Sequence, residues 1–377
     1  MTDREAPPPP LSDDSRFMAA ALALGRRGLG VCAPNPAVGA LIVNEGVVVG
    51  RGWTRPGGRP HAETEALREA GGSARGATLY ATLEPCSHHG ATPPCAEAIV
   101  AAGISRVVFA VGDPDPRVAG GGEAILAAAG ISVTKGILEN EARRANLGHM
   151  LRIAANRPMV TLKLAMTSDL YAAGSHHDPR LVITGAAANG LVHMMRAMHD
   201  AIMVGSGTIL ADDSLLSVRL PGLEARKPLR IVLDSELRLR IESFLVATAR
   251  DIPSLVIAGE GAGEDSAARL RGAGVEVEFV PRDASGRVSL HAALELLAAR
   301  GLTRIFSEGG PRLAAALIEQ GLADEVNLLT SPKPLGRDGV LGLSPPTAAI
   351  LADAARYSCV EARSIGADRL ARYERAL

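Results

Sequence analysis

Three things are scarce in this chain, and each scarcity narrows its chemistry. Net charge is nearly absent: 40 Lys and Arg stand against 41 Asp and Glu in 377 residues. Proteins that grip a nucleic acid carry a basic field, so a nucleic-acid substrate is disfavoured. Cysteine is sparse, with four in the whole chain, too few for a disulfide scaffold and consistent with a reducing compartment. No apolar run approaches the ~20 residues of a membrane span, and the N-terminus lacks a signal-peptide core. No membrane partner is expected, and the expected address is the cytoplasm. The length is enough for two domains, each burying its own core.

What is present is organised. Residues 1–14, with Pro7 to Pro10 and several acids, read as a disordered leader. Ser15 is placed to cap a helix running to about Arg27. Val38–Val43 and Val47–Arg51 are apolar runs split by Asn44-Glu45-Gly46, a hairpin signal. A short helix is expected over His61–Ala70, a strand over Thr78–Leu83, a helix opening at Pro93-Pro94, and a strand over Arg106–Val111. This alternation predicts a three-layer α/β domain over residues 15–150. Arg152–Pro158 is polar and ends in proline, which marks a linker. A second β/α series then begins at Met159 and fills a domain over 158–377. Its strands are expected at Val160–Ala165, Ala201–Val204, Leu229–Leu233, Ser254–Ala258, Val275–Val280, Arg304–Ser307 and Glu325–Leu329. No repeat relates the halves.

The chemistry concentrates in His61-Ala62-Glu63, Pro85-Cys86 and Cys95. One imidazole and two thiolates suit Zn²⁺, and three protein ligands leave its fourth tetrahedral position open to water. Zinc lowers the pKa of water from about 15.7 to about 7, which is roughly 12 kcal/mol at ~1.4 kcal/mol per unit. Glu63, outside the ligand set, is placed to move the protons. The competing reading is a structural Cys/His clip with Glu63 as a surface carboxylate, and His88 or His89 as a fourth ligand. The expected positions of the two helices also put their N-termini toward the ion, where they would favour ionised thiols.

The H-x-E…P-C…C arrangement resembles the zinc nucleoside and nucleobase deaminases. Eight residues separate the two thiols, and Thr82-Leu83-Glu84-Pro85-Cys86-Ser87-His88-His89-Gly90-Ala91-Thr92-Pro93-Pro94-Cys95 is similar to the signature of the riboflavin-biosynthesis deaminases. Pro34-Asn35-Pro36-x-Val38-Gly39 and Asp113-Pro114-x-Pro116-x-Val118-Ala119-Gly120 match two further signatures of that family. Two positions depart from it: Ala91 stands where many relatives have Lys or Arg, and Asp115 where they have Asn. Arg59 or Arg117 is then a candidate for the missing basic contact.

The family is commonly bifunctional, and the second half carries segments in the order of its reductase domain. These are Val160-Thr161-Leu162-Lys163-Leu164-Ala165, Val204-Gly205-x-Gly207-Thr208, Ala211-Asp212-Asp213, Val218-Arg219, Leu233-Asp234-Ser235 and Ile305-Phe306-Ser307-Glu308-Gly309-Gly310-Pro311. The resemblance implies a cytidine-deaminase-like α/β/α domain followed by a dihydrofolate-reductase-like α/β domain that uses NADPH. It implies cofactor contacts at Ala165, Thr208, Asp212, Ser235, Gly310, Pro311, Arg312, Leu313, Ala314, Ala315 and Ala316. It implies substrate contacts at Arg196, Leu216, Arg219 and Glu308. The segment 170–182 departs from the family pattern, which puts contacts there in doubt. The implied substrate is a phosphoribosylated pyrimidine, deaminated through zinc and then reduced from ribosyl to ribityl. Two alternatives remain: a deaminase whose second half is a phosphate-binding or assembly module, and a deaminase of a tRNA or free nucleoside. A homo-oligomer is left open.

Overall fold

A computed structural model describes residues 12–89, 93–116, 118–175, 178 and 181–376. It divides into two compact units, Met1–Ala155 and Asn156–Leu377.

In the first unit, α1 (Asp13–Gly25) starts after Ser12, whose hydroxyl accepts from Ser15 N at 3.3 Å. The cap is therefore three residues earlier than expected, inside the stretch assigned to the leader. The reason is Asp14, which accepts from Tyr80 Oη at 2.7 Å and from Arg106 at 2.9 and 2.8 Å. β1 (Gly39–Asn44) and β2 (Val47–Trp53) form an antiparallel hairpin. Its turn places Glu45 at φ 48° and Gly46 at φ 79°, the left-handed pair that matches strand twist. β3 (Thr78–Ala81), β4 (Arg106–Phe109) and β5 (Ser132–Lys135) complete a sheet in the order β2-β1-β3-β4-β5, the last three parallel.

Helices cover both faces. A Cβ on Gly39 would come within 1.9 Å of Ala21 O in α1, and one on Gly52 within 1.9 Å of Ala62 O in α2 (Ala62–Ala70). Gly52 pairs with Ala40, the residue after Gly39. Successive strand residues point to opposite faces, so α1 and α2 lie on opposite sides, and glycine is what lets each approach. α3 (Cys95–Ala101), α4 (Gly121–Ala128) and α5 (Glu139–Ala155) follow. Because α5 runs to Ala155, the expected linker shrinks to the residues after it, with Asn156 at φ 49° ending the helix.

The second unit is built on a nine-stranded sheet. In chain order its strands are β6 (Met159–Met166), β8 (Ala201–Gly205), β9 (Leu229–Leu233), β10 (Ser254–Gly259), β11 (Glu276–Val280), β12 (Arg304–Ser307), β13 (Glu325–Thr330), β15 (Tyr357–Ile365) and β16 (Asp368–Arg375). β7 (Tyr171–Ala173) and β14 (Val340–Leu341) form a separate ribbon. Their order is β11-β10-β9-β8-β12-β6-β13-β16-β15, parallel from β11 to β13 and antiparallel beyond.

The residues between strands form α6 (Ala186–Ala197), α7 (Ser206–Asp212), α8 (Phe244–Ala247), α9 (Glu264–Gly272), α10 (Leu290–Ala299), α11 (Pro311–Glu319) and α12 (Pro345–Ala352). Two core layers sort them. α10 and α11 pack with Val160, Leu162, Met203 and Ile305. α7, α8 and α9 pack with Ile202, Val204 and Val232 from the other face, and α6 joins Phe306 and Leu329 there. From β8 the chain moves toward β9, whereas from β12 it crosses to β13. The two helices that follow, α7 and α11, thus diverge to opposite faces beside adjacent strands. That is a topological switch point, where open α/β sheets bind ligands at the carboxyl ends of their strands.

Asp324 anchors the start of this unit. Its side chain is fully buried and accepts from Arg157 at 2.6 and 2.7 Å, Val160 N at 2.9 Å and Arg375 at 3.1 Å.

Candidate active sites

In the first unit His61 is the N-cap of α2 and Glu63 lies in its first turn, so one helix end presents both. Cys86 follows β3, and Cys95 opens α3 behind Pro94. His61 Nδ1 lies 3.6 Å from Cys86 Sγ and 3.4 Å from Cys95 Sγ. Zinc bonds of about 2.3 Å to sulfur and 2.0–2.1 Å to nitrogen, at a tetrahedral angle, place N and S about 3.6 Å apart. The three side chains therefore already stand at the separations such an ion requires. Among the described residues they are the one group of His, Cys, Asp and Glu ligands close enough to share a metal. His88 and His89 do not join them: His88 Nδ1 is buried without a partner, and His89 faces Glu97 at 3.6 Å.

The electrostatics suit that ion. The hydrogen bond from Cys95 pulls the Cys86 thiol down to about 4, helped by His61 and the backbone N–H of Cys95. The same shared proton, with burial and the charge of Glu63, pushes Cys95 far above the usual thiol range. Zinc takes cysteine as thiolate, so loading the site releases thiol protons. The backbone N–H of Cys95, at the α3 N-terminus, is among the groups that favour the Cys86 thiolate. Burial pushes the Glu63 carboxyl up, against the pull of His61, and a carboxyl raised in this way is a better proton carrier than an ordinary surface one. Asn35 Nδ2 donates to Gly58 O at 2.8 Å and lies 3.3 Å from His61 Nε2. Asn35 stands in a quoted signature, yet the sequence alone gave it no role. Arg59 is half-buried and near enough for its charge to oppose protonation of His61. Ala91 and Arg117 lie outside the described residues.

In the second unit the named cofactor positions lie at or beyond the carboxyl ends of parallel strands. Ala165 is on β6, Thr208 in the first turn of α7 and Asp212 at its end, Ser235 after β9, and Glu308 and Gly310 between β12 and α11. Gly205 and Gly310 cap α7 and α11 without a side-chain bond, and a Cβ on either would meet only open space. Two bare helix N-termini beside a switch point fit a nucleotide cofactor's phosphates. Pro311, Arg312, Leu313 and Ala315 continue along α11 with Ala316, but Ala314 is fully buried among Leu317 and Ile318 and offers no side-chain surface. The Ser235 hydroxyl accepts from Val288 N at 2.9 Å.

Glu308 is the centre of the other cluster. Arg196 donates to it from Nε at 2.5 Å and from its terminal nitrogen at 3.0 Å, and also to Ser217 O at 2.8 Å. Burial alone would raise the Glu308 carboxyl, but Arg196, Lys163 and His193 outweigh it and hold it below the usual range. Arg219 is exposed, donating from Nη1 to Ser217 Oγ at 3.3 Å, while its backbone N donates to His193 Nδ1 at 3.2 Å. Leu216 is buried at φ 50° in the core layer of α7. Lys163 and His193 are additions to the sequence-derived set; Lys163 sits in a quoted segment, and no local pattern marks His193. Just before the divergent segment, Asp169 accepts from Thr167 Oγ1, Leu335 N and Gly336 N, which holds it down at about 2. Residues 176, 177, 179 and 180 lie outside the described set.

Residues 158–370 match the family described as the RibD C-terminal domain, more than half of the chain. The chain belongs to the RibD family. Residues 11–111 match the cytidine and deoxycytidylate deaminase zinc-binding region. The riboflavin biosynthesis protein RibD of Escherichia coli (strain K12) is 38% identical over 372 residues, covering 94% of this chain and 97% of that one. Its counterpart in Aquifex aeolicus (strain VF5) is 37% identical over 329 residues, covering 87% and 90%. Among solved structures, Acinetobacter baumannii RibD (form 2) aligns with a TM-score of 0.83 at 33% identity, covering 97% of this chain and 99% of that one. This RibD-family chain is an enzyme of riboflavin biosynthesis with a zinc-binding deaminase domain and a reductase domain of the NADPH-dependent kind. A second half reduced to a binding module is not favoured, because the family match spans it.

Proposed function

We propose that residues 15–150 deaminate 2,5-diamino-6-(5-phosphoribosylamino)pyrimidin-4-one and that residues 158–377 reduce the ribosyl group of the product to ribityl. The observation that carries the first step is the His61, Cys86 and Cys95 cluster with Glu63 buried beside it. His61, Cys86 and Cys95 would hold the zinc, which supplies a water of lowered pKa. Glu63 takes a proton from the attacking water. It returns one to the departing nitrogen, since NH₂⁻ is too basic to leave unprotonated. The ring carbon gains a carbonyl and ammonia departs. We assign Arg59, half-buried and close enough to act on His61, to the substrate's phosphate.

In the second domain the N-termini of α7 and α11, with Ala165, Thr208, Asp212, Ser235 and residues 310–316, would hold NADPH, which would supply the hydride. Arg196 is committed to Glu308 and Ser217, so it shapes the substrate site and keeps Glu308 charged. Arg219, on the exposed side, is assigned to the phosphate. The bidentate guanidinium suits that group. Leu216 holds the segment that carries Arg219. The near-zero net charge supports a small-molecule substrate rather than a nucleic acid. No described helix is long and apolar enough to cross a membrane. We assign the enzyme to the cytoplasm on its sparse cysteines, and leave a homo-oligomer as an assembly to be tested.

The test is incubation with the diaminopyrimidine substrate, with and without NADPH, followed by mass analysis. A deaminated product without NADPH and a deaminated, reduced one with it are expected. Deamination without NADPH consumption on the deaminated substrate would restrict the activity to the first domain.

A further inference from the structure

We propose that Glu84 is a positioning residue for the zinc site: a buried carboxylate that plugs the N-terminus of α4 and so fixes the loop carrying Cys86. The proposal rests on His61, Cys86 and Cys95 holding the metal. Glu84 is only 5% exposed. Its Oε1 accepts from Gly122 N at 3.1 Å and Glu123 N at 3.3 Å, and its Oε2 from Gly120 N at 3.1 Å. Those are the first amides of α4, whose own N-cap, Gly120, contributes no side-chain bond. Helix ends leave such amides without partners, and an anion there is stabilised by both the N–H groups and the dipole. Glu84 supplies it from 36 residues upstream.

The coupling to Cys86 is direct. A Cβ on Gly122 would lie 2.0 Å from Pro85 O, and one on Gly121 2.4 Å from Ser87 Oγ. The α4 N-terminus is therefore seated flush on both neighbours of Cys86, and Gly121 and Gly122 are what permit it. On its other side Cys86 is held by α3, where Ala96 N donates to Cys86 O at 3.2 Å and Cys95 N to its Sγ at 3.3 Å. The Glu84 backbone N donates to Val111 O at 2.9 Å, fixing the root of the loop to the segment that follows β4. With the plug removed, Cys86 keeps its bonds to α3 but loses the wall that sets its distance from His61. Partners that orient a ligand in this way commonly carry 10–100-fold of metal affinity.

Cobalt(II) titration of the metal-free full chain reads the site through its thiolate-to-cobalt charge-transfer band, independently of turnover. Wild type should show the band and saturate at one ion; absence of the band in wild type would overturn the metal reading itself. Glu84→Gln puts an amide NH₂ against the backbone N–H groups. It should weaken cobalt and zinc binding by about 10–100-fold, with hydrogen exchange of the central strands β1 and β3 unchanged. Wild-type affinity in Glu84→Gln would overturn the proposal. A second arm needs no variant, because coupling between two sites is reciprocal. Metal binding to wild type should slow exchange of the Gly120, Gly122 and Glu123 amides, and unchanged exchange at all three would also overturn it.

Discussion

Glu63 is a buried carboxyl and Glu308 a nearly buried one, one in each unit, and their surroundings push them in opposite directions. Burial dominates at Glu63 and raises it, with the lone imidazole of His61 pulling back. At Glu308 burial is outweighed by Arg196, Lys163 and His193 together. One unit has kept a carboxyl that can carry a proton; the other has kept a charge that can hold a cationic cluster in place. The same residue type serves acid–base chemistry in one site and fixed electrostatics in the other. The sites differ in construction as well. The first converges side chains from one stretch of sequence onto a point, whereas the second lines up strand ends that only the sheet order brings together.

The sharpest test of that contrast removes the proton carrier. Glu63→Gln should retain metal, measured as zinc content, yet lose about 10²–10⁴-fold in deamination, because an amide cannot shuttle protons. NADPH-dependent reduction should be untouched. Full deamination by this variant would break the assignment. Replacing Arg196 instead should fail differently. Arg196→Met leaves Glu308 buried without its bidentate partner, which costs about 3–5 kcal/mol for a buried pair broken on one side. Denaturant unfolding should show that loss in the second unit, and reduction should fall with it. An equal loss on Glu63→Gln would erase the distinction drawn here.

A third test uses acid. His199 is fully buried, with Nδ1 2.6 Å from Met195 O and Nε2 3.0 Å from Thr161 Oγ1, and burial lowers it to about 3. A histidine depressed in the fold binds more protons when unfolded, so its contribution to stability is complete above ~6.5. That contribution is lost progressively as pH falls from there toward 3. Between pH 7 and pH 5 the loss is about 2 kcal/mol. The stability difference between wild type and His199→Gln should shrink by that amount over this range, and a pH-independent difference would refute it.

How much of this was legible in the sequence follows from the same contrast. The metal cluster was readable because ligand chemistry and local spacing fix it: His61 caps a helix, Cys95 opens one, and Cys86 follows a strand. The strands β9 and β12 were read to the residue because each is a short apolar run bounded by turn signals. The hairpin of β15 and β16 was not, since β15 is exposed along most of its length and carries no apolar alternation to read. The Arg152–Ala155 turn of α5 looked like linker because polarity marks exposure, not irregularity. The Glu308 cluster was recognised only by resemblance. Lys163, His193 and Glu308 are far apart in the chain, and what unites them is the placement of β12 between β8 and β6.

Arg219 gives the smallest expected effect and the finest distinction. From sequence alone, a buried arginine on a phosphate would be worth roughly 2–5 kcal/mol. The structure instead leaves Arg219 exposed, its guanidinium bonded to Ser217 Oγ at 3.3 Å. A charge facing water is screened and contributes less, about 1 kcal/mol or below for an exposed pair. Arg219→Ala should therefore raise the KM for the phosphorylated substrate several-fold and leave kcat near wild type. The effect should fade as salt rises, because exposed charges are screened over about 10 Å at 0.1 M. Deamination should not change, since Arg219 stands in the other unit. A loss of 2–5 kcal/mol that persists in high salt would mean that this guanidinium is desolvated when substrate binds. The second site would then bury its ligand as the first unit buries Glu63, and the difference between the two sites would narrow.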